Sequence, residues 1–448
     1  MPVLKNLIHR KGVFALLSAA ALFGTPFCSA ADAPFKPTLD AIYPSLDALY
    51  QDLHRHPELS LQEEKTAAKM AAQLRKLGLQ VTERVGGYGV VGVLRNGDGP
   101  TVMVRTDMDA LPIKEQTGLP YASTVVAKAG NGDTTSVMHA CGHDIHMTSW
   151  VGAAAILAAN KAGWRGTVVF VGQPAEEILQ GAKAMLKDGL LTRFPKPDFV
   201  LGIHDTNLIP AGQVGIVSGP ASAASNSVDI TFYGKGGHGA APHLGKDPVL
   251  IAARAVVTLQ SIVSREVSPF EPAIVTVGTF HAGTKRNVIP DEAKLELTVR
   301  SYKSEVQQHM LEAIARIAKA ESAAAGTARQ PLVTVDPKEA SDVVINDPAL
   351  AARLGSSLKK SLGEANVVPI APSSASEDFG EFGRVAKVPS IQLRLGMVEP
   401  KEYAAAKAAG KQTPGSHTAN FAPDRERTIR TGVAALAASV MELLKPAM

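Results

Sequence analysis

GTVVFVGQPAEE, residues 166–177, sets the architecture of this chain. Its apolar half is β-branched and unbroken, and it stops abruptly at a polar tail carrying Glu176 and Glu177. A strand exposed on one face alternates apolar with polar; a continuous apolar run belongs to a strand covered on both faces. TVMVRTD (101–107) and DFVLGIHD (198–205) repeat the design, ending at Asp107 and beside His204. GVVGVL (89–94) and VPSIQLRLG (388–396) add further strands. Helical patterns lie between them, in 46–59, 63–78, 148–163, 347–362 and 424–444. Strands alternating with helices predict an α/β unit: a mostly parallel, mixed sheet flanked by helices. In such sheets the working groups collect beyond the carboxyl ends of the strands. Asp107, Glu176, Glu177 and His204 all stand there.

The pattern changes near residue 219. NSVDITFYGKGGHG alternates in strand fashion, and PVLIAARAVVTLQSIVSR is an amphipathic helix. AIVTVGTFHAG and AKLELTVRSY read as a strand pair, SEVQQHMLEAIARIAKAESAAAG as a helix, and LVTVDP as a last strand. That order, β-α-β-β-α-β, is a compact α+β unit in its own right. The expected organisation is one catalytic domain, 38–218 and 341–448, interrupted by a smaller lid domain, 219–340. Residues 31–40 read as a linker and 402–415 as a loop, and the Cys/His segment precedes a helix starting near residue 148.

The first thirty residues carry Lys5, Arg10 and Lys11, then the apolar run GVFALLSAAALF and the small-residue end CSA. This is the pattern of an export signal over 1–30, placing the mature chain in the periplasm or outside the cell. No later segment reads as long and apolar enough to span a membrane. Removal of 1–30 takes away three positive charges and no negative one, so the formal charge falls from +4 to +1. A near-neutral chain with 5% aromatic residues gives no reason to expect nucleic acid or a membrane surface as partner. Cys141 is then the one cysteine left, so no intramolecular disulfide can form. A single thiol in an oxidising compartment must be buried or bound.

MHACGHDIHM, residues 138–147, surrounds that thiol with His139, His143, Asp144 and His146. Cys141 and His143 are suited to a first-row divalent ion, but two donors cannot close a site. Glu177, His204 and His417, in GSHTANFAPD, are the best further donors. Glu176 beside Glu177 permits a division of labour, one carboxylate on metal and one on a proton. A solvated acidic pair opening a helix would look the same in sequence. His238, set among glycines in GKGGHGAAPH, fits either an oxyanion donor or a plain surface turn.

These stretches, with RTDMDALPIKEQTGLPYAS, GTKRNVIPDEAKLELTVR and SEDFGEF, occur in one order over most of the mature chain. In that order they closely resemble the M20 metallopeptidase family, in its amidohydrolase branch of hippurate hydrolases and auxin-conjugate hydrolases. The resemblance implies a two-metal centre and an inserted lid that commonly mediates dimerisation. It implies Glu176 as general base, and Cys141, His143, Glu177, His204 and His417 as metal ligands. His238 matches a lid histidine that reaches a substrate oxygen, often in the partner subunit. Asn287 and Arg300 match lid positions that touch substrate, and Asp107 an acidic residue that orients a ligand. Peptidase branches carry a ligating His where this chain has Arg105, and many relatives have an apolar residue where Ser416 precedes His417.

The expected activity is metal-dependent hydrolysis of the amide of an N-acyl or N-aroyl amino acid. The ions are zinc or manganese, with cobalt and nickel also compatible. Arg300 is the candidate partner of a substrate carboxylate. A dipeptidase or carboxypeptidase with the same site is the alternative enzyme. A metal-sequestering protein without turnover would not need a spare carboxylate beside its ligands.

Overall fold

The structure, a computed structural model, describes residues 35–446. The export signal read over 1–30, with Cys28, lies outside the described residues.

The larger sheet has eight strands, in the order Gln80–Val85, Gly89–Asn96, Gly166–Gln173, Thr101–Asp107, Phe199–Pro210, Ser390–Val398, Val214–Ile216 and Val367–Pro369. Its centre is parallel, from Gly166–Gln173 through Thr101–Asp107 and Phe199–Pro210 to Ser390–Val398. The Gln80–Val85 edge and the junction with Val214–Ile216 are antiparallel. Both faces are covered, as the unbroken apolar runs demand. Val168 and Phe170 enter the core shared with helices His143–Ala159 and Arg425–Leu443, while Val169 and Val171 enter the core with Phe379 and Phe382. His143–Ala159 is apolar almost all round and accordingly buried. Its Trp150 ties it to the sheet by donating Nε1–H to the Val104 carbonyl at 2.9 Å.

A second sheet, wholly antiparallel, runs Ala273–Ala282, Glu292–Ser301, Ala224–Tyr233, Leu332–Ser341. Helices Pro248–Ser261 and Ser304–Ala324 pack on it around a core of their own, including Ile230, Phe232, Leu295, Ile251 and Ile314. Glu292–Ser301 alternates buried and partly exposed positions along its length, the signature of a sheet covered on one face.

Four local expectations need correction. The first helix begins at Lys36, inside the stretch read as a linker. Pro400–Ala408 is a helix where a loop was expected. Its alanines favour helix intrinsically, and Glu399 caps it by accepting the Lys401 and Glu402 N–H groups. The helix after the Cys/His segment starts at His143, because its polar first turn is turned inward onto buried partners. Finally, the helical stretch Pro248–Glu266 does meet the length and apolarity of a membrane span. Its apolar side, Ile251, Ala255, Leu259 and Ile262, is spent on the lid sheet instead.

Candidate active site

The parallel strands deliver their terminal residues to one place. Cys141 Sγ lies 3.6 Å from His204 Nε2 and 3.3 Å from His417 Nε2. His417 Nε2 is 3.4 Å from Glu177 Oε2. His143 Nε2 is 3.7 Å from Glu177 Oε1 and 3.8 Å from Glu176 Oε2. Two trios share the sulfur: Cys141 with His143 and His204, and Cys141 with Glu177 and His417. Within each trio the donor atoms lie within 4.8 Å of one another. His143 Nε2 and Glu177 Oε1 are buried and have no hydrogen-bond partner. Orphaned buried polar atoms are costly, and two that face each other beside a thiol and two imidazoles fit a pair of divalent cations. Because both trios use Sγ, Cys141→Ala is expected to remove more than one ion per chain. His204→Ala should remove about one, by the loss of a single ligand. Metal analysis of the dialysed variants checks this; equal losses would mean the sulfur is not shared.

Local backbone builds the cluster. Gly142, between the two donors of its segment, has φ 73, and a Cβ there would stand 2.7 Å from the Asp205 carboxyl carbon. Glu176 and Glu177 lie beyond the strand end, in a turn bracketed by Ala175 (φ 53) and Leu179 (φ 56). Left-handed non-glycine residues cost about 1–3 kcal/mol each and persist only where neighbours hold them. Here Glu63 Oε1 accepts the Ala175 N–H at 2.8 Å. Asp109 Oδ1 and Oδ2 accept the Glu176 and Glu177 N–H groups at 3.1 and 3.0 Å. His417 is likewise left-handed (φ 63), and its N–H donates to the Ala140 carbonyl at 2.6 Å.

Hydrogen bonds assign the histidines of MHACGHDIHM. His143 donates Nδ1–H to the Asp109 carbonyl at 2.7 Å, which leaves Nε2 aimed into the cluster. His146 is tied at both nitrogens, donating to Asp107 Oδ1 at 2.8 Å and accepting the Asp205 N–H at 3.0 Å. It is a support, not a ligand. His139 is buried without a partner at either nitrogen, and burial lowers its pKa to about 4, so it is a neutral core group. His204 donates Nδ1–H to the Asp205 carbonyl at 2.8 Å, freeing its own Nε2.

Beneath the cluster lies Arg105, fully buried. It donates to Asp107 Oδ2 at 2.6 Å, Gln173 Oε1 at 2.8 Å, Glu377 Oε1 at 3.0 Å and Asp378 Oδ1 at 3.2 Å. Burial pushes the Asp107 carboxyl up, but His143, His146 and Arg105 outweigh it and hold the group well below the usual range. Burial, then the Glu377 and Glu177 charges, push Glu176 well above the usual range. Burial is also the main reason Glu177 rises to about 7 and Cys141 stands well above an ordinary thiol.

The cluster floors a cavity of about 780 Å³ between the two sheets, whose walls include Ser222, Ile274, Thr298, Arg300 and Arg394. Cys141, Glu176, Glu177, His204, His417 and Arg300 face this cavity, and His143 and Asp107 lie under it. His238 and Asn287 do not. His238 lies on the two-stranded ribbon Gly237–His238 and Val288–Ile289, opposite Val288, and the exposed Asn287 immediately precedes the second strand, its carbonyl accepting the Gly239 N–H at 2.9 Å. Sequence reading passed over Asp109, Asp205 and Arg394. The first two stand in stretches already singled out, RTDMDALP and GIHD. Arg394 sits inside an apolar strand with no local mark of function.

The family model for peptidase family M20/M25/M40 matches residues 103–442. A hippurate hydrolase of Campylobacter jejuni is 37% identical over 76% of this chain and 85% of its own length. An N-acetyl-L-cysteine deacetylase of Bacillus subtilis is 36% identical over 77% and 79%. The solved structure of the Bacillus subtilis YXEP protein, a dinuclear metal binding peptidase of the M20 family, superposes with a TM-score of 0.71. It is 30% identical and covers 90% of this chain and 99% of that one.

Proposed function

The chain belongs to peptidase family M20/M25/M40, and from that membership and its donor cluster we propose that it hydrolyses the amide bond of N-acyl or N-aroyl amino acids. It is a metal-dependent amidohydrolase. The observation that carries this reading is Glu176: a buried carboxyl on the cavity floor that belongs to neither trio sharing Cys141 and adjoins them through His143 and Glu177. Sequestration would have no use for it.

Cys141, His143, Glu177, His204 and His417 hold two divalent ions in this reading, with zinc or manganese the best match to mixed sulfur, nitrogen and oxygen donors. When bound, the ions supply Lewis acidity, lowering the pKa of a water and polarising the scissile carbonyl. Glu176 takes the proton of the attacking water and returns it to the departing amine. Its burial beside Glu377 and Glu177 favours the protonated form, which serves the second half of that cycle; cations against it favour the first. Asp109 keeps both glutamates aimed through their backbone N–H groups. Arg300, on the lid wall, takes the substrate's α-carboxylate.

His238 and Asn287 serve the cavity of a second copy, in a homodimer formed through the lid. Their exposure, outside this chain's own cavity, supports that arrangement. The edge strand Ala273–Ala282, with Phe280 exposed, supports it too. Export is proposed from the pattern of residues 1–30.

Metal-reconstituted protein should release free amino acid from hippurate and N-acetyl amino acids, and a chelator should abolish release. Cleavage of dipeptides alone would replace this reading with the dipeptidase or carboxypeptidase alternative. Release indifferent to chelator would end it.

A further inference from the structure

Arg394 is a buried cation that forms no ion pair among the described residues. It lies on Ser390–Val398 in register with His204 of the neighbouring strand, so its side chain leaves the sheet beside a proposed ligand. It is 7% exposed and lines the catalytic cavity. Its Nη2 donates to Ser222 Oγ at 2.7 Å. Among the described residues that is its one side-chain hydrogen bond, and no carboxylate stands within ion-pair distance. Glu377, Asp205, Cys141 and Glu176 reach it with their charge, but none as an ion pair. Glu377 accepts from Arg105 and Gln392, and Asp205 stands against His146 and His204. Arg105 is the contrast: fully buried, it meets three carboxylates. A buried charge with no counter-charge is unfavourable unless an anion joins it, and burial already pulls Arg394 below the usual arginine range.

Arg300 is in a similar position on the lid side. It donates Nη1–H to the Ser374 carbonyl at 2.9 Å and has no carboxylate at ion-pair distance among the described residues. The two guanidiniums are linked through one wall. Ser222, which holds Arg394, bridges to Ser373, and Ser374 follows. A guanidinium presents its N–H groups in a fork that matches a carboxylate. Two such forks along one serine wall, over one amide-cleaving floor, call for two carboxylates.

We propose that Arg394 is a specificity-determining residue and that the preferred substrates carry a second carboxylate besides the α-carboxylate. This rests on the amidohydrolase reading. The second carboxylate belongs either to an acidic side chain, as in N-acyl aspartate or glutamate, or to the far end of a dicarboxylic acyl group.

The test uses metal-loaded protein carrying Glu176→Gln, which binds without turning over. Binding of N-acetyl-glutamate is compared with that of its neutral isostere N-acetyl-glutamine, and N-succinyl-alanine with N-butanoyl-alanine. With Arg394 present, one acid is expected to bind at least about 30-fold tighter than its partner, the size of a buried charge pair. The pair that responds identifies which end carries the carboxylate. Arg394→Met should bring that ratio close to one. Arg394→Lys, which keeps the charge and loses the fork, should give an intermediate ratio and decides the matter if the Met variant does not fold. Ratios near one for both pairs with Arg394 present, or a ratio that survives in both variants, overturn the proposal. Hydrolysis by the unmodified protein separates the two readings. Cleavage without preference for the acid ends this inference alone, whereas acid-selective binding with no cleavage ends the amidohydrolase reading.

Discussion

Glu176→Gln should lower kcat by at least about 10³-fold while both metal ions stay bound. A single positioned acid–base group contributes about 10²–10⁴-fold, and Glu176 is assigned both proton transfers, so the loss belongs in the upper part of that range. The substitution keeps the volume of the side chain and the Glu176 backbone N–H that Asp109 accepts, so the turn carrying Glu177 stays in place. Neither trio that shares Cys141 includes Glu176, and in its group with His143 and Glu177 the amide oxygen of glutamine keeps a donor, so metal content should match the unmodified chain. Steady-state kinetics on an N-acetyl amino acid, with metal analysis of the same sample, checks both halves. Near-normal turnover would remove Glu176 from the chemistry. Lost metal would make it a ligand.

Arg105→Met should cost about 3–5 kcal/mol of folding stability near neutral pH, the usual consequence of leaving buried charges without their partner. Arg105 has no exposed surface, and three carboxylates, on Asp107, Glu377 and Asp378, converge on it. Methionine fills much of the space and supplies no charge. The penalty should shrink on acidification. Burial, opposed by Arg105, leaves the Asp378 carboxyl at about 7, and loss of the guanidinium raises it further. The group then takes up a proton in the folded variant more readily than in the unfolded chain. That uptake stabilises the folded form as pH falls. Urea denaturation of metal-free protein at pH 7.5 and 5.5 measures this. A deficit that is absent at pH 7.5, or that grows on acidification, would show that the carboxylates do not depend on Arg105.

The same residue shows how far the chain could be read without coordinates. The resemblance marks Arg105 as standing where peptidase branches carry a ligating histidine. What occupies that role became visible only with the contacts. The guanidinium holds Asp107, which holds His146, which accepts the Asp205 N–H beside His204. At that position the chain carries a support under the donor cluster.

Strands and helices were legible because their signals are local. An apolar run such as VVFV fixes a doubly covered strand, and the polar residue that ends it is delivered to the edge of the sheet. By that logic Glu176, Glu177 and His204 were found from sequence, and the structure brings them together with Cys141 and His417. The helix start at His143 was misread because its polar first turn is satisfied by distant groups. The Asp109 carbonyl holds His143, and His54 meets Asp144 at 2.7 Å.

By itself, then, the sequence determined the layered α/β plan, the inserted β-α-β-β-α-β unit and the residue types available for metal chemistry, since all of these follow from periodicity and spacing along the chain. Only the tertiary structure decided which of three chemically identical imidazoles in MHACGHDIHM turns a nitrogen into the donor cluster, that Arg300 enters the cavity while His238 does not, and that Arg394 lines it with no carboxylate at ion-pair distance among the described residues. Those outcomes depend on hydrogen bonds and charges between segments far apart in the chain, and no local pattern encodes which partners will meet.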